Sequence, residues 1–194
     1  MAQKKIKRLL VYSSIGHVGY LLIGICCGTV EGLQAVLLYL ILYVFMTVNV
    51  FTIVLSCIDH SNTFRLNYIQ DLGLLGQTHP VLAFTFSCTL FSMAGIPPLA
   101  GFCSKFYLFF AAMGSSLYGL ALFGVLSSVV SCFYYIRLIK IMYFEQPSQL
   151  ITYGAIDHEK AILLGITSTV IVFFFLCPHS LFLWTYKVAY MFLG

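Results

Sequence analysis

From Leu33 to Cys57 the chain runs without a single charged residue, and other stretches are nearly as apolar. Nothing constrains the fold more. A hydrophobic run of about 18 residues or more crosses the ~30 Å hydrocarbon core of a bilayer as a helix. Backbone N–H and C=O groups in lipid must be bonded within their own segment, and continuous rather than alternating apolar runs point to helices and not to strands. Candidate spans lie at about 9–28, 33–57, 81–113, 117–143 and 161–184. Ser13, Ser14 and His17 make the first of them the least apolar. The expected fold is therefore all-α and integral to the membrane, with about five transmembrane helices in a single domain over residues 1–194. Composition agrees. Hydrophobic residues make up 61% of the chain and charged residues 8%, with a mean hydropathy of +0.99, whereas a soluble domain carries about 25% charged residues.

The net charge of +4 is no nucleic-acid signal, because no basic face exists to track a phosphate backbone. With an odd number of spans, Lys4, Lys5, Lys7, Arg8, Arg65, Arg137, Lys140 and Lys160 share one side. Glu31, the 114–116 turn and the C-terminus share the other, with Lys187 as the cation there. Basic loops stay on the cytoplasmic or matrix side. The basic start leads into an apolar stretch that lacks a small-residue cleavage site followed by a polar region, so it reads as a retained first span. The seven cysteines lie mainly inside apolar runs, without CxxC spacing or a Cys/His ligand set, and read as small buried hydrophobes. No residues stand out that would hold a metal, haem or iron–sulfur cluster on this chain. The Asp157–Lys160 cluster reads as a solvated loop, and Glu31, Asp59 and Asp71 as loop residues.

The sharpest local feature is the stretch from Ser92 to Tyr107. Proline lacks the N–H that a helix needs, and its ring clashes with the preceding turn. Pro97 and Pro98, flanked by Gly95 and Gly101, should open the third span near mid-membrane. Irregular backbone at that depth is tolerated only inside protein or beside a wet cavity, and transporters use such breaks along ion paths. Lys105 lies two turns beyond. An ionised lysine inside a bilayer costs roughly 2.5–3.5 kcal/mol on insertion scales and usually marks an ion pathway. A lysine that only snorkels to the interface is the alternative, and the neighbouring break argues against it.

Met93 to Tyr107 resembles the broken twelfth helix of the antiporter-like membrane subunits of proton-pumping NADH:ubiquinone oxidoreductase (complex I). Lysine at its charged position is typical of the subunit 2 family, whereas the subunit 4 family tends to carry glutamate. Lys7 to Tyr20, KRLLVYSSIGHVGY, is similar to the KRLLAYSSIxHxGY opening of that family's tenth helix, with Val11 for the usual Ala. Phe133-Tyr134-Tyr135-Ile136-Arg137 resembles its thirteenth helix. The three matches follow family order and cover nearly the whole chain.

The resemblance implies helices ten to fourteen of a 14-helix subunit, half of a module that translocates protons as NADH reduces ubiquinone. Lys105 would then exchange the proton and His17 would relay it. Tyr43, Thr47 and Asn49 would line the same water chain, or simply hydrogen-bond between helices. Arg137 and Lys140 would snorkel. The family's glutamate on the fifth helix and lysines on the seventh and eighth have no counterpart here, so a separate chain is expected to supply the N-terminal half. FMN, iron–sulfur clusters and ubiquinone would sit in other subunits, with other complex I membrane subunits and lipids as partners. The implied location is the mitochondrial inner membrane, N-terminus in the matrix and C-terminus towards the intermembrane space. Rival readings are a subunit of a cation/proton antiporter or membrane-bound hydrogenase, and a scaffold that moves no proton.

Overall fold

The computed structural model describes residues 3–56, 68–145 and 157–193. Cys57, Asp59 and Arg65 lie outside these residues. Every regular element described is helical, and one isolated bridge joins Lys5 to Tyr68. The order is α1 (Ile6–Cys26), α2 (Val30–Ser56), a 3₁₀ turn (Ile69–Leu74) running into the short α3 (Leu75–Thr78), α4 (Pro80–Ala94), α5 (Ala100–Gly114), α6 (Tyr118–Phe144), α7 (His158–Phe173) and α8 (His179–Leu193). Three of these, α1, α2 and α6, are each long and apolar enough to cross a membrane alone. The expected third span is present as two shorter apolar helices, α4 and α5, meeting at the proline pair.

The central element is α2, which packs against α1, α4, α5, α7 and α8. A helix that is hydrophobic all round belongs inside. It buries Leu38, Tyr39, Leu42, Met46, Val50 and Ile53 to 1% exposure or less. By contrast α6 is mostly exposed along its length. It turns Phe123, Leu126, Val129, Val130 and Phe133 outward, an apolar surface suited to lipid or to other membrane helices. Lipid tails are as apolar as leucine, so what holds the helices together is close packing and interhelical hydrogen bonding rather than the removal of oil from water.

The start of α1, the 3₁₀ turn and the end of α6 meet at one end of the bundle. There the Ile69 N–H donates to the Lys4 carbonyl (2.9 Å), and one pocket is lined by Lys4, Tyr68, Arg137 and Glu145. The starts of α4 and α7 lie side by side, through His79, Leu82, Ala161 and Leu164. Basic Lys4, Lys5, Arg137 and Lys140 thus share an end. Lys140 is exposed and 4.0 Å from Glu145.

Four expectations need correction. The stretch 161–184 is not one helix, because the chain leaves α7 at Phe174 and re-enters at His179. Pro178 disfavours helical geometry at Cys177 and has no N–H to continue α7, while its carbonyl accepts the Phe182 N–H (3.1 Å) and so opens α8. Both halves follow α2, α7 near Asn49 and α8 near Gln34. Secondly, Glu31 is no loop residue. It occupies the first turn of α2, where the helix dipole favours a carboxylate. Lastly, the Asp157–Lys160 cluster forms the N-cap and first turn of α7, closed by a Lys160–Asp157 ion pair, in place of a loop. Asp71 likewise sits in the 3₁₀ turn, accepting the Tyr68 N–H (2.8 Å).

Candidate functional site

The site begins at the break between α4 and α5. Gly95 leaves α4 with φ +90°, a left-handed conformation that glycine adopts without a Cβ penalty. The Gly95 and Ile96 N–H groups both donate to the Phe91 carbonyl (3.1 Å each), closing the helix end. The Pro97–Pro98 peptide is cis. The backbone then turns through an extended Leu99 into α5. On the other side of the break the Gly101 N–H donates to Ser92 Oγ (2.9 Å). A Cβ on Gly101 would land on the Ser92 carbonyl, so the two half-helices touch where only glycine fits.

In an unbroken helix the carbonyls of residues 93 and 94 would accept the N–H groups of residues 97 and 98. Both of those are proline and have none. Unpaired carbonyls away from water are costly. Lys105 Nζ supplies the missing donors, to Met93 O at 2.8 Å and Ala94 O at 3.2 Å. The lysine is 5% exposed and so does not snorkel. Its charge also lies at the negative end of the α4 dipole. Among the described residues no carboxylate pairs with it, since the ion pairs there lie at Lys140 and Lys160. Its Nζ instead stands 5.0 Å from the centre of the Tyr20 ring, within reach of a cation–π attraction.

Tyr20 leads to His17, one turn earlier on α1. His17 Nδ1 lies 2.6 Å from the Tyr39 hydroxyl on α2, and Nε2 lies 3.0 Å from the Tyr135 hydroxyl on α6. In neutral imidazole one nitrogen donates and the other accepts, so both ring nitrogens are satisfied in a buried setting. Tyr43 lies over the imidazole, 4.7 Å between ring centres. Ser127 Oγ on α6 is 3.0 Å from the Tyr20 hydroxyl. Four elements, α1, α2, α5 and α6, thus converge on one polar cluster inside an apolar bundle.

Of the residues singled out in the sequence, the structure brings Lys105, His17, Tyr43, Gly95, Pro97, Pro98 and Gly101 to this region. It does not bring the other two. Thr47 returns its hydroxyl to the Tyr43 and Val44 carbonyls of its own helix (2.9 Å each). Asn49 donates to Thr167 Oγ1 on α7 (2.9 Å), away from the cluster. Tyr20, Tyr39 and Tyr135 escaped the sequence reading as site residues. Spacing could have suggested two of them, because Tyr20 follows His17 by three residues and Tyr39 precedes Tyr43 by four, each pair sharing a helix face. Among the described residues no group of His, Cys, Asp or Glu is arranged to hold a metal ion. The cysteines there are free thiols.

Residues 1–131 match the sequence profile of the family described as NADH:quinone oxidoreductase/Mrp antiporter, transmembrane. NADH-ubiquinone oxidoreductase chain 2 of Marchantia polymorpha is 61% identical over 97% of this chain. The present chain spans only 38% of that relative's length. Among solved structures, respiratory complex I from Thermus thermophilus with bound aureothin superposes with a TM-score of 0.80 at 27% identity, covering 93% of this chain and 40% of that one. The Mrp complex from Dietzia sp. superposes over 100% of this chain and 44% of that one, with a TM-score of 0.83 at 17% identity, a likeness of fold alone. By its sequence profile, its relatives and its broken-helix fold, the chain belongs to the NADH:quinone oxidoreductase/Mrp antiporter transmembrane family.

Proposed function

We propose that the chain forms the C-terminal part of subunit 2 of respiratory complex I, half of an antiporter-like module that moves protons as NADH reduces ubiquinone. The observation that carries this reading is Lys105, a buried cation held on two carbonyls at a helix break and flanked by a tyrosine–histidine cluster. Identity of 61% to a chain 2 relative supports subunit 2 over other members of the family. Lys105 takes up and releases the proton, His17 passes it on, and the broken helix keeps the lysine in contact with polar groups inside the bilayer. Electron transfer runs elsewhere in the assembly, on FMN, iron–sulfur clusters and ubiquinone held by other subunits, and this chain carries no redox centre.

The partners are other membrane subunits, including a separate chain that supplies the N-terminal half, together with lipid. The Marchantia relative comes from a plant, where respiratory NADH oxidation is mitochondrial, which favours the mitochondrial inner membrane. The basic end, with Lys4, Lys5, Arg137 and Lys140, then faces the matrix and the C-terminus faces the intermembrane space.

Two experiments test the reading. Mild-detergent membranes are run on a native gel stained for NADH oxidation, and the active band is taken to mass spectrometry. This chain and a companion resembling the first nine helices are expected in that band. One longer polypeptide containing this sequence would refute the split, and migration in a smaller assembly without NADH activity would favour a cation/proton antiporter. In the assembled complex, Lys105→Met is expected to lower the proton-to-electron ratio. An unchanged ratio with normal activity would leave only a scaffold role.

A further inference from the structure

A lysine ammonium has three N–H donors and no acceptor, and burial leaves each of them to the protein. The Met93 and Ala94 carbonyls accept two of those of Lys105, at 2.8 and 3.2 Å. Among the described residues these are its only hydrogen bonds. What stands over the remaining side of Nζ is the ring of Tyr20, its centre 5.0 Å away. The face of an aromatic ring is negative and attracts a cation within about 6 Å of its centre. The polar end of Tyr20 is engaged elsewhere. Ser127 Oγ on α6 lies 3.0 Å from the Tyr20 hydroxyl and 2.8 Å from the Gly124 carbonyl. The ring is also braced from the side, edge-on to Phe109 at 6.1 Å and 74°. Phe109 in turn rests on Gly124, where a Cβ would come within 2.4 Å of the phenylalanine ring. One turn of α6 thus fixes both the phenol and its brace, and presents to Lys105 the face of the ring instead of its oxygen.

We propose that Tyr20 is a positioning residue for proton exchange at Lys105, its ring face serving as the third partner of the buried ammonium. The inference rests on the proton-translocating reading above and adds to it the group that tells the charged lysine from the neutral one. The two carbonyls cannot make that distinction by themselves, because a neutral amine still has two N–H groups to give them. What the amine lacks is the third donor and the charge, and those are what the ring attracts. Tyr20 therefore grips Lys105 while it carries its proton and lets go when the proton leaves. No carboxylate does this work among the described residues, where the ion pairs lie at Lys140 and Lys160. The alternative role for Tyr20 is packing, since it is 4% exposed and shares a core cluster with Tyr39, Leu108 and Ala111. The two roles part on chemistry, because packing needs volume and the grip needs a ring.

The test uses the assembled complex in sealed vesicles and compares Tyr20→Phe, Tyr20→Leu, Tyr20→Met and Lys105→Met with the parent. Assembly, NADH oxidation, proton-to-electron ratio and thermal midpoint are measured for each. Tyr20→Leu and Tyr20→Met are expected to lose ratio towards the value of Lys105→Met. Tyr20→Phe keeps the ring face and gives up the Ser127 contact, and is expected to recover most of that loss. Methionine fills irregular space flexibly, so it carries the comparison with Tyr20→Phe even where Tyr20→Leu does not assemble. A parental ratio in the variants without a ring overturns the proposal. So does a Tyr20→Phe ratio as low as theirs, which would put the role on the hydroxyl. A ratio that follows the thermal midpoint across the series, whether or not a ring is present, leaves packing alone and overturns it too. If Lys105→Met lowers the ratio while the ringless variants do not, the role of Tyr20 alone fails. If Lys105→Met itself keeps the parental ratio, the proton-translocating reading fails with it.

Discussion

Gly95 shows how much a single residue decides in this protein. Its φ of +90° is open to glycine, and a Cβ there would press to within 3.2 Å of Lys105 Cδ and 3.5 Å of Nζ. Gly95→Ala therefore strains the backbone, at a cost of order 1–3 kcal/mol, and displaces the lysine from the carbonyls it serves. The expected outcome is a lower thermal midpoint of the detergent-solubilised complex together with a reduced proton-to-electron ratio. A variant with both at parental values would mean that the break tolerates a side chain. Asn49 is the contrasting case. Its Nδ2 ties α2 to Thr167 on α7, and its Oδ1 is buried with no hydrogen-bond partner among the described residues. Hydrogen bonds between membrane helices average only about 0.6 kcal/mol. Asn49→Ala is accordingly expected to shift thermal stability slightly and leave proton transfer unchanged. A loss of pumping at normal stability would return Asn49 to the water chain suggested by its sequence position.

At the scale of elements, the α4–α5 pair is best understood as one span with two hydrogen bonds handed over to a side chain. The prolines remove the N–H donors for the Met93 and Ala94 carbonyls, and Lys105 replaces both. The double variant Pro97→Ala/Pro98→Ala restores those donors and lets the helix compete with the lysine for the same oxygens. Lys105 is then expected to lose its contacts at the break, and the proton-to-electron ratio falls although the charge is still present. Measuring that ratio in assembled complex checks the point, because a parental ratio would show that the lysine works independently of the break. The α7–α8 pair is also divided at a proline, but no lysine bridges it. Phe182 and Gln34 link α8 to α2 instead, with Gln34 Nε2 donating to the Phe182 carbonyl at 3.3 Å.

For the whole molecule, the ends differ in charge and the buried polar cluster of His17, its tyrosines and Lys105 lies between them. The basic end carries Lys4, Lys5, Arg137 and Lys140, while Glu31 lies at the other. With inner-membrane vesicles of each orientation, a membrane-impermeant amine reagent is expected to label the N-terminal lysines from the matrix side and Lys187 from the other. The reverse pattern would invert the proposed orientation without touching the fold.

The sequence by itself determined that this chain lives in lipid, because its long uncharged runs have no other solvent. It also fixed the break, since Pro97, Pro98, Gly95 and Gly101 act through their own backbone chemistry, and it picked out Lys105 as a charge that lipid alone would not accept. The division of the last span at Pro178 was present in the same local terms, but hydropathy runs smoothly across it and hid it. What only the tertiary structure decided is which polar groups meet. His17 joins Tyr39 and Tyr135 across sequence separations of 22 and 118 residues, and Asn49 turns to α7 instead. Those pairings depend on how each helix is rotated about its axis. In a water-soluble bundle an apolar stripe fixes that rotation. Here α1, α2 and α6 are apolar around most of their circumference, so the rotation is set by close packing and by the hydrogen bonds themselves.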